Sequence, residues 1–286
     1  MRGVLFLRVP SWATVVALTA IVGAVAAVSV ALHESPGDGG AGTAQGGIIH
    51  VPLWVDPAKV HHQPRFHFTY DPPQALAALR SQEKLDRVIE GAGDDLDRFR
   101  RLNAWTRAQF EPGVPSPYPP PDARIILRDV RSGFTGGFCA QYNFVLVQAL
   151  QSLGYRARCV SLSRHELVEA WARDGRRWIC LDPLYAATYV DESGRELSVY
   201  EVNARERRGA PLLAGPGSRP ETEEEMRGAF GRFEVWIKND HVSRPVNFTD
   251  LPRYRVRFLD DGETAPDGAG LSTRDIHDLY FDPDES

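Results

Sequence analysis

The run Gly137-Phe-Cys-Ala-Gln-Tyr-Asn-Phe-Val-Leu-Val-Gln-Ala-Leu-Gln-Ser-Leu-Gly154 leads into Tyr155-Arg-Ala-Arg-Cys-Val-Ser-Leu162, then His165-Glu-Leu-Val-Glu-Ala-Trp171 and Arg177-Trp-Ile-Cys-Leu-Asp182-Pro183. In the first piece Tyr142, Val145, Leu146, Ala149, Leu150 and Leu153 recur at three and four, which predicts a helix with one buried face. Gly154 supplies its stop. Cys139 therefore falls at the helix N-terminus, where unpaired N–H groups and the helix dipole favour a thiolate. The same N–H groups suit the oxyanion of a tetrahedral intermediate.

The next pieces read as short strands. With a period of two, His165, Leu167, Glu169 and Trp171 share a face. Asp174-Gly175 is a hairpin signal. If these two residues form the loop, Trp171 opposes Trp178, and extending the count places His165 opposite Leu184, two positions beyond Asp182. A nucleophile at a helix start and a His and an Asp near facing strand edges make a candidate triad, Cys139, His165 and Asp182. In that chemistry the thiolate attacks an acyl carbon. The imidazole moves the proton, and the carboxylate fixes the imidazole tautomer. Each residue alone has a plainer reading: a core cysteine, a structural histidine, a strand-end cap. Zinc is the competing use of the same three side chains, but no Cys-x-x-Cys or His-x-x-x-His pair anchors it. No metal and no cofactor is implied.

These residues carry a resemblance. Gly137-Phe-Cys139, the helix ending in Gly154-Tyr-Arg-Ala-Arg158, His165-Glu-Leu-Val-Glu169-Ala-Trp171 and Trp178-Ile-Cys-Leu-Asp182-Pro183 look like the transglutaminase-like superfamily over roughly residues 95–200. The resemblance implies an α+β fold with a papain-like core, a cysteine helix packed on an antiparallel sheet. It implies Cys139 as nucleophile, His165 as base and Asp182 as orienting residue, with Glu169 structural. The implied activity is thiol-dependent acyl transfer on peptide or side-chain amides, as a peptidase, deamidase or transglutaminase, with a protein or peptide as substrate. The alternative is a catalytically silent binding or scaffold domain of the cell envelope. Leu167 and Gln141-Tyr142 depart from the usual pattern and leave the substrate open. No calcium loop is present, so calcium dependence is not implied.

The rest of the chain adds an address and walls. Among 286 residues, Lys+Arg number 33 against Asp+Glu 38, a net charge of −5 that does not favour nucleic acid. Residues 1–10 carry Arg2 and Arg8, and 11–32 carry no charge at all. At about 1.5 Å per residue that run spans roughly 33 Å, enough to cross a bilayer as a helix. Positive charge before it and Glu34 and Asp38 after it predict a single-pass anchor with the body extracytoplasmic. A cleaved signal peptide, which would leave the body secreted, is the competing reading. Residues 33–50 read as a flexible linker, 51–205 as the core with its N-terminal helices, and 206–286 as an extension with extra strands and an acidic tail, loosely held or docked through Leu279-Tyr280-Phe281. Proline-rich 111–122 reads as a stiff connector. Residues 123–127 fit either a short strand or a helical turn. Cys159 and Cys180 are either a disulfide or two buried hydrophobes.

Overall fold

The computed structural model describes residues 65–265 and 270–284. Its helices are α1 (Ala77–Gln82), α2 (Leu85–Val88), α3 (Asp95–Arg107), α4 (Ala123–Arg131), α5 (Cys139–Ser152), α6 (Val199–Arg207) and α7 (Thr222–Met226). The strands are β1 (Thr69–Tyr70), β2 (Ala157–Leu162), β3 (Glu166–Ala172), β4 (Arg177–Asp182), β5 (Ala187–Thr188), β6 (Phe233–Trp236), β7 (Lys238–Asn239), β8 (Arg255–Phe258) and β9 (Leu271–Thr273). Seven strands form one sheet in the order β5-β4-β3-β2-β6-β8-β9, and β1 pairs with β7 apart from it.

The α+β class holds, with two corrections to the expected fold. The sheet is mixed rather than antiparallel, because β8 and β9 run parallel. The chain between them, 259–270, has about the dozen residues that a parallel crossover needs. Second, among the described residues no helix is long and apolar enough to cross a membrane. The 14-residue α5 falls short of the roughly 20 residues a span requires. The expected span 11–32, with residues 1–10 and 33–50 around it, lies outside the described residues.

The core lies between α5 and one face of the sheet. Val145, Leu146, Ala149 and Leu150 of α5 meet Ala157 and Cys159 of β2, Val168 and Ala170 of β3, and Ile179 and Leu181 of β4. Helices α1, α3 and α4 also pack on α5, and α3 reaches β3, β4 and β5 beside it. Consequently Ala140 through Ser152 are all buried, not one face alone as the periodicity predicts. Its glutamines survive burial because each bonds to neighbouring backbone. Gln148 accepts from Ala123 N–H at 2.9 Å and donates to the Pro121 carbonyl at 2.8 Å. Gln151 accepts from Asp71 N–H and donates to the Ala157 and Asn239 carbonyls. Gly154, at φ +87°, takes the left-handed turn that ends the helix.

Residues 123–127 are helical, as part of α4, with Asp122 as its N-cap accepting from Arg124 N–H at 2.8 Å. Asp94 caps α3 through Asp97 N–H. Asp71 does not cap a helix from Pro72. Its carboxylate instead accepts from Val242 and Ser243 N–H, at 2.9 and 2.6 Å. Ser198 and Glu201 form a capping box at the start of α6.

The region after residue 205 contributes β6, β8 and β9 to the main sheet. Its end is held, not loose: Leu279, Tyr280 and Phe281 are buried, on the sheet face opposite α5. There Trp178 Nε1–H donates to the Phe281 carbonyl at 3.2 Å, and Arg158 donates to the Leu279 carbonyl.

Candidate active site

The β3–β4 hairpin delivers the pairing that the sequence count predicts. Trp171 opposes Trp178, and the register runs without a bulge to Val168 opposite Leu181. Its left-handed turn residue is Arg176, at φ +45°, rather than Gly175. His165 sits before β3, just after the Ser163–Arg164 turn from β2, where its carbonyl accepts from Leu162 N–H at 2.7 Å. Asp182 ends β4. No bulge is needed to join them, because the longer reach of an imidazole bridges the diagonal: His165 Nε2 lies 2.9 Å from Asp182 Oδ2.

Asp182 is fully buried and held from three sides. Besides His165, Tyr189 OH donates to Oδ2 at 3.0 Å and Leu184 N–H donates to Oδ1 at 3.1 Å. Tyr189 packs edge-on against Phe230. Burial and the Asp182 charge push the Tyr189 hydroxyl well above its ordinary range, so it remains a proton donor to the carboxylate. Sequence reasoning missed both donors. Leu184 N–H is a backbone group with no side-chain signal, and Tyr189 lies just past the next strand, β5.

Cys139 begins α5 as a free, half-buried thiol. The first bond within this helix runs from Tyr142 N–H to the Phe138 carbonyl at 3.2 Å, so the amides of Cys139, Ala140 and Gln141 precede the ladder. Gln141 Oε1 turns back to accept from Phe138 N–H at 3.1 Å. The His165 imidazole bonds to Asp182, and Cys139 lies close enough to add to the shift of its pKa. With Nε2 on Asp182, Nδ1 is the nitrogen left for the thiol. Burial disfavours the imidazolium, but the Asp182 charge and hydrogen bond, with the Cys139 contribution, outweigh it and raise His165 from 6.5 to about 10. Tyr185 leans on the same ring at 5.8 Å between centroids.

The other cysteines are different. Cys159 faces the α5 core and Cys180 the opposite side of the sheet; both are free and buried. Burial pushes each thiol well above its ordinary value, so neither is an activated nucleophile.

Two segments pair just ahead of Cys139 in the chain. Gly113 N–H donates to the Gly137 carbonyl at 2.7 Å, and Gly136 N–H to the Val114 carbonyl at 3.1 Å. A Cβ on Gly136 would lie 2.4 Å from that carbonyl oxygen. The glycine therefore serves the close approach of two backbones. Tyr118 of the proline-rich connector stands edge-on to Phe138, and burial raises its hydroxyl, with the Glu166 and Cys139 charges adding to the effect. Glu166, next to His165, meets Arg255 at 3.2 Å and Ser161 Oγ at 3.3 Å. Among the described residues no group of three His, Cys, Asp or Glu is arranged to hold a metal.

No family model matches the chain, and neither does any curated protein or solved structure.

Proposed function

We propose that the chain is a thiol-dependent acyl-transfer enzyme acting on peptide or side-chain amides, with Cys139 as nucleophile, His165 as base and Asp182 as orienting residue. The observation that carries this reading is the position of His165, which bonds to a buried carboxylate and lies near a thiol at a helix N-terminus. The raised basicity of the imidazole favours transfer of the thiol proton to Nδ1. The thiolate then attacks the amide carbonyl. The amides that open α5 lie where they can donate to the oxyanion. As that intermediate collapses the C–N bond breaks, and the imidazolium returns its proton to the leaving amine. A thioester remains on Cys139. Water, or an amine, with its proton taken by His165, then attacks the thioester and frees the thiol. Asp182 holds the tautomer throughout and faces the positive ring. This chemistry is that of the transglutaminase-like superfamily, and the sequence resemblance supports the same reading.

The test is alkylation of the purified protein with iodoacetamide at neutral pH, read residue by residue by mass spectrometry. The expected result is labelling of Cys139 over Cys159 and Cys180, faster than an ordinary exposed thiol, and slowed when His165 is replaced by Ala. Amide turnover should disappear in Cys139→Ala. Turnover that persists in that variant removes the covalent mechanism. A Cys139 that labels no faster than an ordinary thiol points to a binding or scaffold domain.

A further inference from the structure

Among the described residues, the exposed large hydrophobic side chains are Val114, Phe134 and Phe138, at 51, 63 and 38% exposure. All three lie on the two segments that pair ahead of Cys139. Val114 bonds to Gly136, and Phe134 and Phe138 lie two residues to either side of that glycine. Thr135 Oγ1–H donates to the Pro117 carbonyl at 2.7 Å and fastens the segments further along. Phe138 adjoins Cys139 directly and is backed by Tyr118, at 6.2 Å between centroids. Neither 112–121 nor 132–138 contains a charged residue, in a chain that is 25% charged. An exposed apolar surface at this position is costly for a monomer to keep and signals an occupant. The absence of charge selects an uncharged one. Phe138 directly precedes Cys139 in the chain, which puts that occupant beside the bond that reacts.

We propose that segments 112–121 and 132–138 form the acyl-donor subsite, and that the enzyme acts on amides flanked by an uncharged aromatic or branched-aliphatic residue. The inference rests on the thiol acyl-transfer reading. On substrate binding, the apolar side chain of the donor lies over Phe134, Phe138 and Val114, and its carbonyl is presented to Cys139.

The test compares two peptidyl chloromethyl ketones, acetyl-Gly-Phe and acetyl-Gly-Asp, on the full chain. Each reacts when the Cys139 thiolate displaces chloride to form an S–C bond. Iodoacetamide, too small to reach the subsite, serves as the control. The aromatic reagent should react at least about tenfold faster than the acidic one, the range that one apolar pocket contact gives. Phe134→Asp and the double variant Phe134→Ser/Phe138→Ser should bring that ratio towards one. Selective labelling of Cys139 by iodoacetamide in each variant reports that it has folded. A ratio near one in the natural chain overturns the subsite, as does a high ratio that neither variant lowers. Self-association in sedimentation that Phe134→Asp abolishes, together with a ratio near one, assigns the patch to a second copy and also overturns it. Unselective iodoacetamide labelling of the natural chain is a distinct failure, that of the thiol mechanism itself.

Discussion

Two acid–base pairs are built around strand β3, and they are finished differently. At its start His165 meets Asp182 at 2.9 Å. In its middle Glu169 meets Arg158 at 2.7 Å on the face away from α5. The second pair is closed. Both Arg158 and Glu169 are fully buried, and the guanidinium lies 3.8 Å from the centre of the Trp178 ring. Glu169 Oε2 accepts twice from Arg158, and Oε1 accepts from Tyr280 OH and Val199 N–H. Each guanidinium nitrogen and each carboxylate oxygen therefore has a partner within the fold. The first pair is left open on one side. Asp182 is held by three donors, but His165 retains 8% exposure and lies near the half-buried Cys139. A buried pair supports chemistry when one partner keeps an unspent bond facing solvent or substrate. When both are spent it fixes the fold.

Breaking the open pair should give the largest effect. Asp182→Asn preserves shape but reverses the preferred tautomer of His165, and kcat should fall by roughly 10³-fold or more. The pair also leaves a pH signature. The folded His165 titrates near 10 against 6.5 for an ordinary histidine, so the folded state holds the extra proton between these values. Stability from this group is full below the lower value and is lost as pH rises through the upper one. Urea titrations at several pH values should show an alkaline decline in the natural chain that is reduced in Asp182→Asn.

Breaking the closed pair should cost stability instead. Glu169→Gln leaves the Arg158 guanidinium buried and unpaired, a loss of about 3–5 kcal/mol. Equilibrium urea unfolding should show it, while activity per folded molecule stays within about twofold, the scatter expected of an uninvolved site. A fall in kcat as large as that of Asp182→Asn would mean that the two pairs act as one.

A third buried base sharpens the contrast, because it has no ionic pair. His241 lies edge-on to Phe144 at 5.1 Å and to Trp236 at 6.1 Å. Neither of its ring nitrogens has a side-chain or backbone partner. Burial lowers it to about 4, with the Lys238 charge adding to the effect and Asp240 opposing it. The folded state therefore binds fewer protons between about 4 and 6.5. Stability from this neutral ring is present above the upper value and is lost as pH falls, by roughly 3 kcal/mol across the interval. His241→Phe should flatten the acid limb of the stability profile without changing the alkaline one.

How much of this was legible in the sequence depends on the distance between partners. The Cys139 helix, the β3–β4 hairpin and the position of His165 near Asp182 follow from local periodicity and turn chemistry, and they reappear in the structure. The features that local reading missed or left open depend on remote partners. Arg158 meets Leu279 and Trp178 meets Phe281, so the acidic tail, which the sequence leaves either loose or docked, is packed on the sheet. The crossover that makes β9 parallel to β8 has no signature of its own. Residues 123–127 are ambiguous alone, and Asp122 as N-cap together with the contacts to α5 decides for helix. Tyr118, in a run of prolines, reads as connector until the fold brings it against Phe138.

The smallest effect should come from the part of the closed pair that the tail supplies. Tyr280→Phe removes the hydroxyl that donates to Glu169 Oε1 at 2.9 Å and accepts from Tyr200 N–H at 3.1 Å. Glu169 keeps the Val199 N–H on the same oxygen and both Arg158 bonds on the other, so its charge stays paired. The Tyr280 ring, buried against Tyr200 and Phe233, is retained in the variant. The loss is then the two hydrogen bonds of that hydroxyl, about 1–2 kcal/mol by urea unfolding. That is less than the cost of Glu169→Gln if the ion pair, rather than the tail, carries the energy of this face. Equal costs for the two variants would reverse the order, making the docked tail the clamp and the Arg158–Glu169 pair its anchor.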